Sequence, residues 1–291
     1  MFLYSRRTVH SSRMKRQKRR RFFLRLFWAS FALVAFFTLS LWAAYIPEIN
    51  IKNISIRGSS AFGESRILLF VEDQIRDNYW SVIPKSNILF YPQHGIEEGL
   101  LNSFPNLFTA SVSFVDLQSI EISVEEREPR YLWCGEDDAV DQKGEPACYF
   151  IDSEGVIFGE APHFSGSVYF EFYGPPQGGT FRSGNDREFP LGLYLLPTGI
   201  FKNVIAIKDN LNSFGIMTKQ VVIRENVDGE FVLENDSRIF FNLSQTNDAF
   251  LKNLNAAFDS SALKKEDFIH EDSLLEYLDL RFGNNLFFKF K

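Results

Sequence analysis

The sequence predicts an α+β fold: a transmembrane helix, a small α+β domain, and a C-terminal β-rich domain with helices on one side of its sheet. Three observations lead to this. Residues 26–45 contain no charged side chain. In residues 48–127, apolar residues alternate at strand spacing in some stretches and recur at helical spacing in two others. Residues 128–291 contain several short alternating segments and two segments with helical spacing.

Residues 26–45 have the length and composition of a transmembrane helix. Twenty residues at about 1.5 Å each give about 30 Å, the thickness of a bilayer's hydrocarbon core. Residues 1–25 form a basic arm with ten Lys and Arg and no Asp or Glu, so we expect the N-terminus in the cytoplasm and residue 46 onward outside. A cleaved signal peptide is the alternative, but its apolar region is shorter, and here the run ends near Trp42 and Tyr45, typical interface residues.

The charge balance differs sharply between the two sides of this helix. The chain has 31 Lys and Arg against 37 Asp and Glu, and the first 45 residues supply ten of the basic groups and none of the acids. Residues 46–291 therefore have an acidic balance, which disfavours nucleic acid and anionic lipid as partners. A nucleic-acid tail is the alternative for the basic arm, but orientation and attraction to inner-leaflet lipid account for it.

The two cysteines, Cys134 and Cys148, stand at the two ends of a polar, turn-forming loop between apolar segments. Since an exported domain can be oxidised, we expect a disulfide across this hairpin, with two free thiols as the alternative. A zinc site is disfavoured because no His lies nearby. Calcium is disfavoured because Asp137, Asp138 and Asp141 lack the spacing of an EF-hand.

Residues 48–127 predict the order strand, helix, helix, strand, strand. The predicted segments are a strand through Ile49, Ile51, Ile54 and Ile56, helices over 64–78 and 96–104, and strands over 108–115 and 120–126. Pro105 ends the second helix. This order predicts two helices on one face of a three-stranded sheet.

Several short motifs follow one another along the chain. They are Ile54-Ser55-Ile56-Arg57-Gly58, Asn87-Ile88-Leu89-Phe90, Phe104-Pro105-Asn106, Ala110-Ser111-Val112, and the stretch 120–129 with its Glu126-Arg127-Glu128-Pro129 end. In this order behind a transmembrane helix, they resemble the POTRA domain of the FtsQ/DivIB cell-division proteins. The stretches 150–158 and 277–282 resemble steps of that family's second, β-rich domain.

The domain at 128–291 is interpreted from its pattern alone. Helices are predicted at 200–214, ending at Gly215, and at 247–258. Strands are predicted at 167–173, 219–225, 230–234, 238–243, 275–282 and 286–290. Asp228-Gly229 is typical of a hairpin turn, and residues 283–285 would form the turn of the last hairpin.

The sequence contains no constellation typical of an active site. The four histidines, His10, His94, His163 and His270, form no paired motif, and no phosphate-binding or nucleophile motif occurs. The glycine-rich stretch 174–184 is interpreted as a plain loop. We therefore predict no enzyme activity, no cofactor, no metal and no small-molecule substrate.

The last strand is the candidate binding feature, because a terminal strand can lie at a sheet edge and accept a partner's strand. By the two-residue period of a strand, Leu278, Leu280 and Phe282 would face the core. Lys289 and Lys291 could instead protect the edge. Phe287, Phe288 and Phe290 on the last strand would add apolar contact area, but they could equally be core residues. The predicted protein-binding residues are Tyr277, Asp279, Arg281, Phe287, Phe288 and Phe290.

The resemblance implies a non-enzymatic scaffold of bacterial septum assembly in the plasma membrane. Its partners would be small coiled-coil membrane proteins of the divisome and septal peptidoglycan synthesis proteins. A membrane-anchored cell-wall hydrolase or sensor is the alternative. The lack of a nucleophile and base, or of a metal set, favours the scaffold.

Overall fold

The computed structural model describes eleven stretches of the chain. They are 12–58, 61–79, 83–135, 147–164, 166, 168–176, 190–224, 227–259, 263–269, 275–283 and 285–291. The chain divides into two compact units, one comprising Met1–Leu100 with Ala110–Val124, the other Leu101–Thr109 with Glu125–Lys291. The α+β class expected from the sequence is confirmed. Outside the described residues lie His10, His270, Asn284, the aspartates of the 136–146 loop and most of the glycine-rich stretch.

The N-terminal helix, α1, spans Ser12–Ala44. Its segment Arg19–Leu39 has a mean hydropathy of 1.9 and is long and apolar enough to cross a membrane. The described side chains of that segment are exposed. The helix begins well before residue 26, so residues 12–25 of the basic arm continue it by at least three turns.

After α1, the described residues of the first unit include a short 3-10 helix, Pro47–Ile49, and form a three-stranded sheet with two α-helices and a two-stranded ribbon. Its elements are β1 Asn53–Arg57, α2 Ala61–Arg76, β2 Asn78–Tyr79, β3 Ile83–Pro84, α3 Gln93–Ser103, β4 Leu107–Asp116 and β5 Ser119–Glu126. The sheet order is β1-β5-β4, and β1 pairs with β5 in parallel. The core includes Ile67 and Val71 of α2, Ile96 of α3 and Ile120 of β5. No strand was expected between the two predicted helices, but the β2–β3 ribbon lies there, and it begins at Asn78, the last residue of the first predicted helix.

Gly58 directly follows β1, at a position where only glycine fits. Its φ is +86°, and a Cβ at this position would lie 2.0 Å from the carbonyl oxygen of Val124. The glycine that ends the first motif is therefore required by close packing against β5.

The second unit is built on a nine-stranded mixed sheet. Its elements are β6 Tyr131–Trp133, β7 Tyr149–Ile151, β8 Ile157–Glu160, β9 Glu171–Tyr173, α4 Thr198–Ser213, β10 Thr218–Ile223, β11 Asp228–Leu233, β12 Arg238–Asn242, α5 Asn247–Asp259, α6 Glu266–Ile269, β13 Leu275–Asp279 and β14 Phe287–Phe290. The strand order is β14-β13-β12-β11-β10-β9-β6-β7-β8. The pairs β6–β9, β9–β10 and β12–β13 are parallel.

One face of this sheet forms the main core with α4 and α5. Val221, Phe231, Ile239 and Leu278 are register partners on four successive strands, so their side chains share a face. All four are fully buried in one cluster with residues of both helices, which include Phe201, Val204 and Ile207 of α4 and Phe250 and Leu254 of α5. Burial of this face is the main source of the unit's stability.

The expected turn at Asp228-Gly229 is wrong, because both residues lie within β11. Gly229 pairs with Ile223 and with Phe241 in the neighbouring strands. A Cβ on Gly229 would lie 2.4 Å from the Phe241 ring. The glycine leaves room for that ring, and Val227 takes the positive φ of 62° that a turn requires.

Two motif residues are joined in the second unit. Arg127 forms an ion pair with Asp152, whose side chain is 4% exposed. The Nε of Arg127 donates a hydrogen bond to the carbonyl of Pro105 at 3.1 Å. Asp152 also accepts hydrogen bonds from the N–H groups of Glu154 and Val156 at 2.8 and 2.9 Å. Arg127, near the end of the 120–129 stretch, therefore links that stretch to the turn before β8.

Cys134 and Cys148 form a disulfide, with their Cα atoms 4.0 Å apart. Cys134 follows β6 directly and is buried. The bond thus closes the β6–β7 connection at its base.

Candidate functional site

The C-terminal hairpin, which we define as residues 275–291, lies at one edge of the large sheet. β14 is the last strand in the order and pairs with β13, with Leu278 opposite Phe288 and Asp279 opposite Phe287. Among the described residues, no strand pairs with its outer side. The backbone groups along that side can therefore accept another strand.

All four side chains of β14 are exposed. The exposed fractions are 52% for Phe287, 36% for Phe288 and 39% for Phe290. Of the two possibilities left by the sequence, core or surface, the structure places these rings at the surface. Phe288 and Phe290 lie on one face of the strand with ring centroids 5.7 Å apart, and Phe287 lies on the other.

Leu278 in β13 and Leu280 just after it lie on the predicted inner face. Leu278 and Leu280 are fully buried, as expected. Phe282 was also expected to face the core, and that expectation is wrong, because it is 55% exposed. Its ring contacts that of Phe287 at 5.6 Å and nearly at right angles. The strand ends at Asp279, so the two-residue period no longer applies at Phe282.

Asp279 is buried rather than available for contact, with 6% of its surface exposed. Arg281 donates to its two carboxylate oxygens from Nε at 2.9 Å and from Nη2 at 2.6 Å. Asp279 therefore supports the turn, and its expected role as a surface contact is not compatible with this burial. Tyr277 is partly buried against the ring of Phe240.

Arg281 is the centre of an interaction cluster on the second face of the sheet. The hydrogen bonds to Asp279, together with that to Asp228, raise the pKa of Arg281 above its usual value despite the opposing effect of burial. The guanidinium lies over two rings, at 5.2 Å from Phe240 and 5.4 Å from Phe282. Sequence reasoning missed Asp228 and Phe240, because both lie on strands distant in the chain.

Lys289 carries positive charge on the edge strand. Its Nζ lies 2.5 Å from a carboxylate oxygen of Glu276, and the resulting hydrogen bond raises the lysine's pKa. Both side chains remain largely exposed. The lysine is therefore neutralised locally by β13, which reduces its ability to repel a partner strand.

The described part of the chain contains no group of three or more His, Cys, Asp or Glu side chains placed to hold a metal ion. What the hairpin offers is hydrogen-bonding backbone beside exposed aromatic rings. Strand pairing with another polypeptide is chemically possible at such a surface.

No protein-family model matches this chain, and no curated protein matches it in sequence. The resemblance described above therefore depends on the quoted motifs and on their order.

Proposed function

We propose that the chain is a non-enzymatic scaffold of bacterial cell division that binds a partner by strand addition at its C-terminal hairpin. The observation that carries the proposal is the edge position of β14 with its three exposed phenylalanine rings. Edge strands of natural proteins are usually shielded by charge, proline or covering segments. β14 carries Lys289, but Glu276 pairs with that charge and three phenylalanine rings remain exposed, which a partner explains better than exposure to water.

The topology of the proposal follows from α1. The helix would cross the plasma membrane with the basic arm in the cytoplasm and residue 46 onward outside, by the asymmetry of Lys and Arg. The FtsQ/DivIB resemblance suggests that the first unit docks membrane-proximal partners at the division septum. It also suggests that the hairpin's partner is a small coiled-coil membrane protein that acts with septal peptidoglycan synthesis.

Two variants at one residue test strand addition. Phe288→Pro removes a backbone donor and the ring, whereas Phe288→Ala removes the ring alone. If a partner strand pairs with β14, the proline variant should lose co-purification of divisome membrane proteins, and the alanine variant should retain part of it. Deletion of 286–291 should behave like the proline variant. Circular dichroism and thermal unfolding would show that each variant is folded.

Equal binding by the proline and alanine variants would exclude pairing through the backbone of β14. The cellular role is tested separately by locating a tagged copy in dividing cells and by depleting the protein. Normal division after depletion, or uniform distribution of the tagged copy, would contradict the cell-division assignment.

A further inference from the structure

Five large apolar side chains are exposed in or directly beside two turns of the first unit, and we call these five residues the apolar rim. Phe114, Val115 and Leu117 lie at the β4–β5 turn, with exposed fractions of 58%, 54% and 55%. Leu89 and Phe90 follow β3, with exposed fractions of 70% and 49%. Clustered exposure of this kind marks an interaction surface rather than ordinary surface composition.

Strand pairing places the β4–β5 turn at the end of the sheet where the chain arrives from α1. β1 begins at Asn53, nine residues after Ala44 ends the helix. It pairs in parallel with β5, with Asn53 opposite Ser119. Because parallel strands begin at the same end of a sheet, the turn that precedes Ser119 lies beside the start of β1.

Hydrogen bonds attach this turn to the segment that follows α1. The N–H groups of Lys52 and Asn53 donate to the carbonyl of Gln118 at 2.8 and 3.0 Å. The side-chain amide of Gln118 donates to the carbonyl of Pro47 at 3.4 Å. Pro47 is three residues beyond Ala44, and three residues span at most about 10 Å.

The second turn of the rim is attached to the same segment. The N–H of Ile88 donates to the carbonyl of Ile49 at 2.9 Å, and the N–H of Ile51 donates to that of Ser86 at 2.8 Å. Asn50 and Asn87 form an antiparallel bridge between these bonds. Both apolar turns are therefore held next to residues 47–53.

Both turns lie close enough to the end of α1 to reach the polar interface of the bilayer. Trp42 and Tyr45 are 69% and 51% exposed at the end of α1, where aromatic residues typically mark the interface. The polar layer outside the hydrocarbon core is about 5–8 Å thick on each side. Interfacial segments bury apolar side chains about 5–10 Å deep in this region.

The form of the turn favours lipid over a protein partner. Phe114 and Val115 are consecutive strand residues, so they project from opposite faces of the hairpin end. A flat protein surface would cover one of these faces, whereas a fluid interface can surround both. The exposed apolar groups and the nearby end of α1 therefore both indicate that lipid contacts the apolar rim.

We propose that the apolar rim inserts into the outer headgroup layer of the bilayer that α1 crosses. The inference rests on the anchored topology of the proposed function. It adds two lipid contacts to the helix, so the first unit would be held in one orientation against the membrane.

Depth-dependent fluorescence quenching tests this with the full chain in liposomes of phosphatidylcholine and phosphatidylglycerol. The two native cysteines are bonded to each other, so one added cysteine takes one environment-sensitive label. We expect labels at Leu117→Cys and Leu89→Cys to be quenched strongly by lipids that carry a nitroxide near the headgroup. A label at Arg57→Cys, on an exposed side chain at the opposite end of β1, is the matched control and should not be quenched.

A label at Val34→Cys, within α1, separates the inference from its premise. If Val34 is quenched by lipids with a deep nitroxide and both rim labels are not quenched at all, the rim does not enter the bilayer and the inference is wrong while the anchor stands. If Val34 is not quenched, the anchored topology fails, and the inference fails with it. If the rim labels become shielded from water only after a protein partner is added, the rim binds that protein and the proposed lipid contact is wrong.

Discussion

Arg281 and Asp228 are joined by a hydrogen bond of 2.7 Å, although they lie 53 residues apart in the sequence. Asp228 begins β11, and Arg281 follows β13, so the bond crosses β12 above the ring of Phe240. Together with the two bonds from Arg281 to Asp279, it fastens the turn of the C-terminal hairpin to the sheet. The edge strand β14 is therefore positioned by a side chain rather than by the hairpin turn alone.

Arg281→Ala should destabilise the second unit by about 2 kcal/mol, because the variant leaves the buried Asp279 carboxylate without its charged partner. Asp228→Asn, which weakens one bond of the three, should cost less. Urea unfolding of the detergent-solubilised chain measures both variants. Equal stability of Arg281→Ala and the unaltered chain would show that the cluster does not hold the hairpin.

Glu230 should show strong coupling to its two arginine partners. The Glu230 side chain is only 2% exposed, whereas both arginines are about half exposed. Its Oε2 lies 2.6 Å from Nη2 of Arg224, and its Oε1 lies 2.9 Å from Nη1 of Arg238. Replacing either arginine by Gln should cost about 1 kcal/mol, because the other still pairs with the carboxylate. Replacing both should cost more than the two single losses together, since the buried charge is then unpaired. Strict additivity in this double-mutant cycle would contradict a shared role.

Reduction of the Cys134–Cys148 disulfide should destabilise the second unit. A closed loop of about 15 residues contributes roughly 3 kcal/mol in the chain-entropy model. Thiol labelling of the purified chain should detect no free thiol before reduction and two after it, with a lower unfolding midpoint in the reduced form. Two reactive thiols before reduction would show that the bond does not form in the cell.

Glu97 should make the first unit sensitive to acid. Burial raises the pKa of Glu97, but hydrogen bonds from the Val112 N–H and from Gln93 and His94 outweigh it, so the pKa lies below its ordinary value of 4.5. The stabilisation is therefore fully present above that value and is lost as the pH falls through the folded-state pKa. The NMR shift of the Val112 amide proton, which donates to Glu97 at 2.9 Å, should report this loss. In Glu97→Gln it should stay constant over the same pH range.

The proposed topology predicts a simple protease result. Protease added to intact spheroplasts should degrade the folded units and leave a fragment that contains α1 and the basic arm. A cytoplasmic protein serves as the control for intact membranes. Protection of residues 134–291 in intact spheroplasts would reverse the assigned orientation.

Local patterns in the sequence were sufficient for most helices and for the faces of the strands. The apolar spacing over 200–214 and 247–258 corresponds to α4 and α5 within one or two residues at each end. The inward direction of Leu278 and Leu280 followed from the two-residue period. These features depend on neighbours within a few positions, and such neighbours are visible in the sequence.

Asp228, Gly229 and Asp279 show where local patterns fail. Gly229 is typical of a turn, but its role is set by the ring of Phe241 on the next strand. Asp279 has the alternation of a surface residue, but Arg281 buries it against Phe240.

The amino-acid order alone thus indicated the long apolar N-terminal helix, the α+β class and the positions of individual elements. The order of the nine strands and the edge position of β14 came from tertiary contacts. The parallel β12–β13 pair, for example, joins strands on either side of α5, and the Ser237 hydroxyl donates to the carbonyl of Leu275 at 2.8 Å. A residue's periodicity indicates which face of a strand it occupies, but the neighbouring strand is selected by the packing of side chains far apart in the chain.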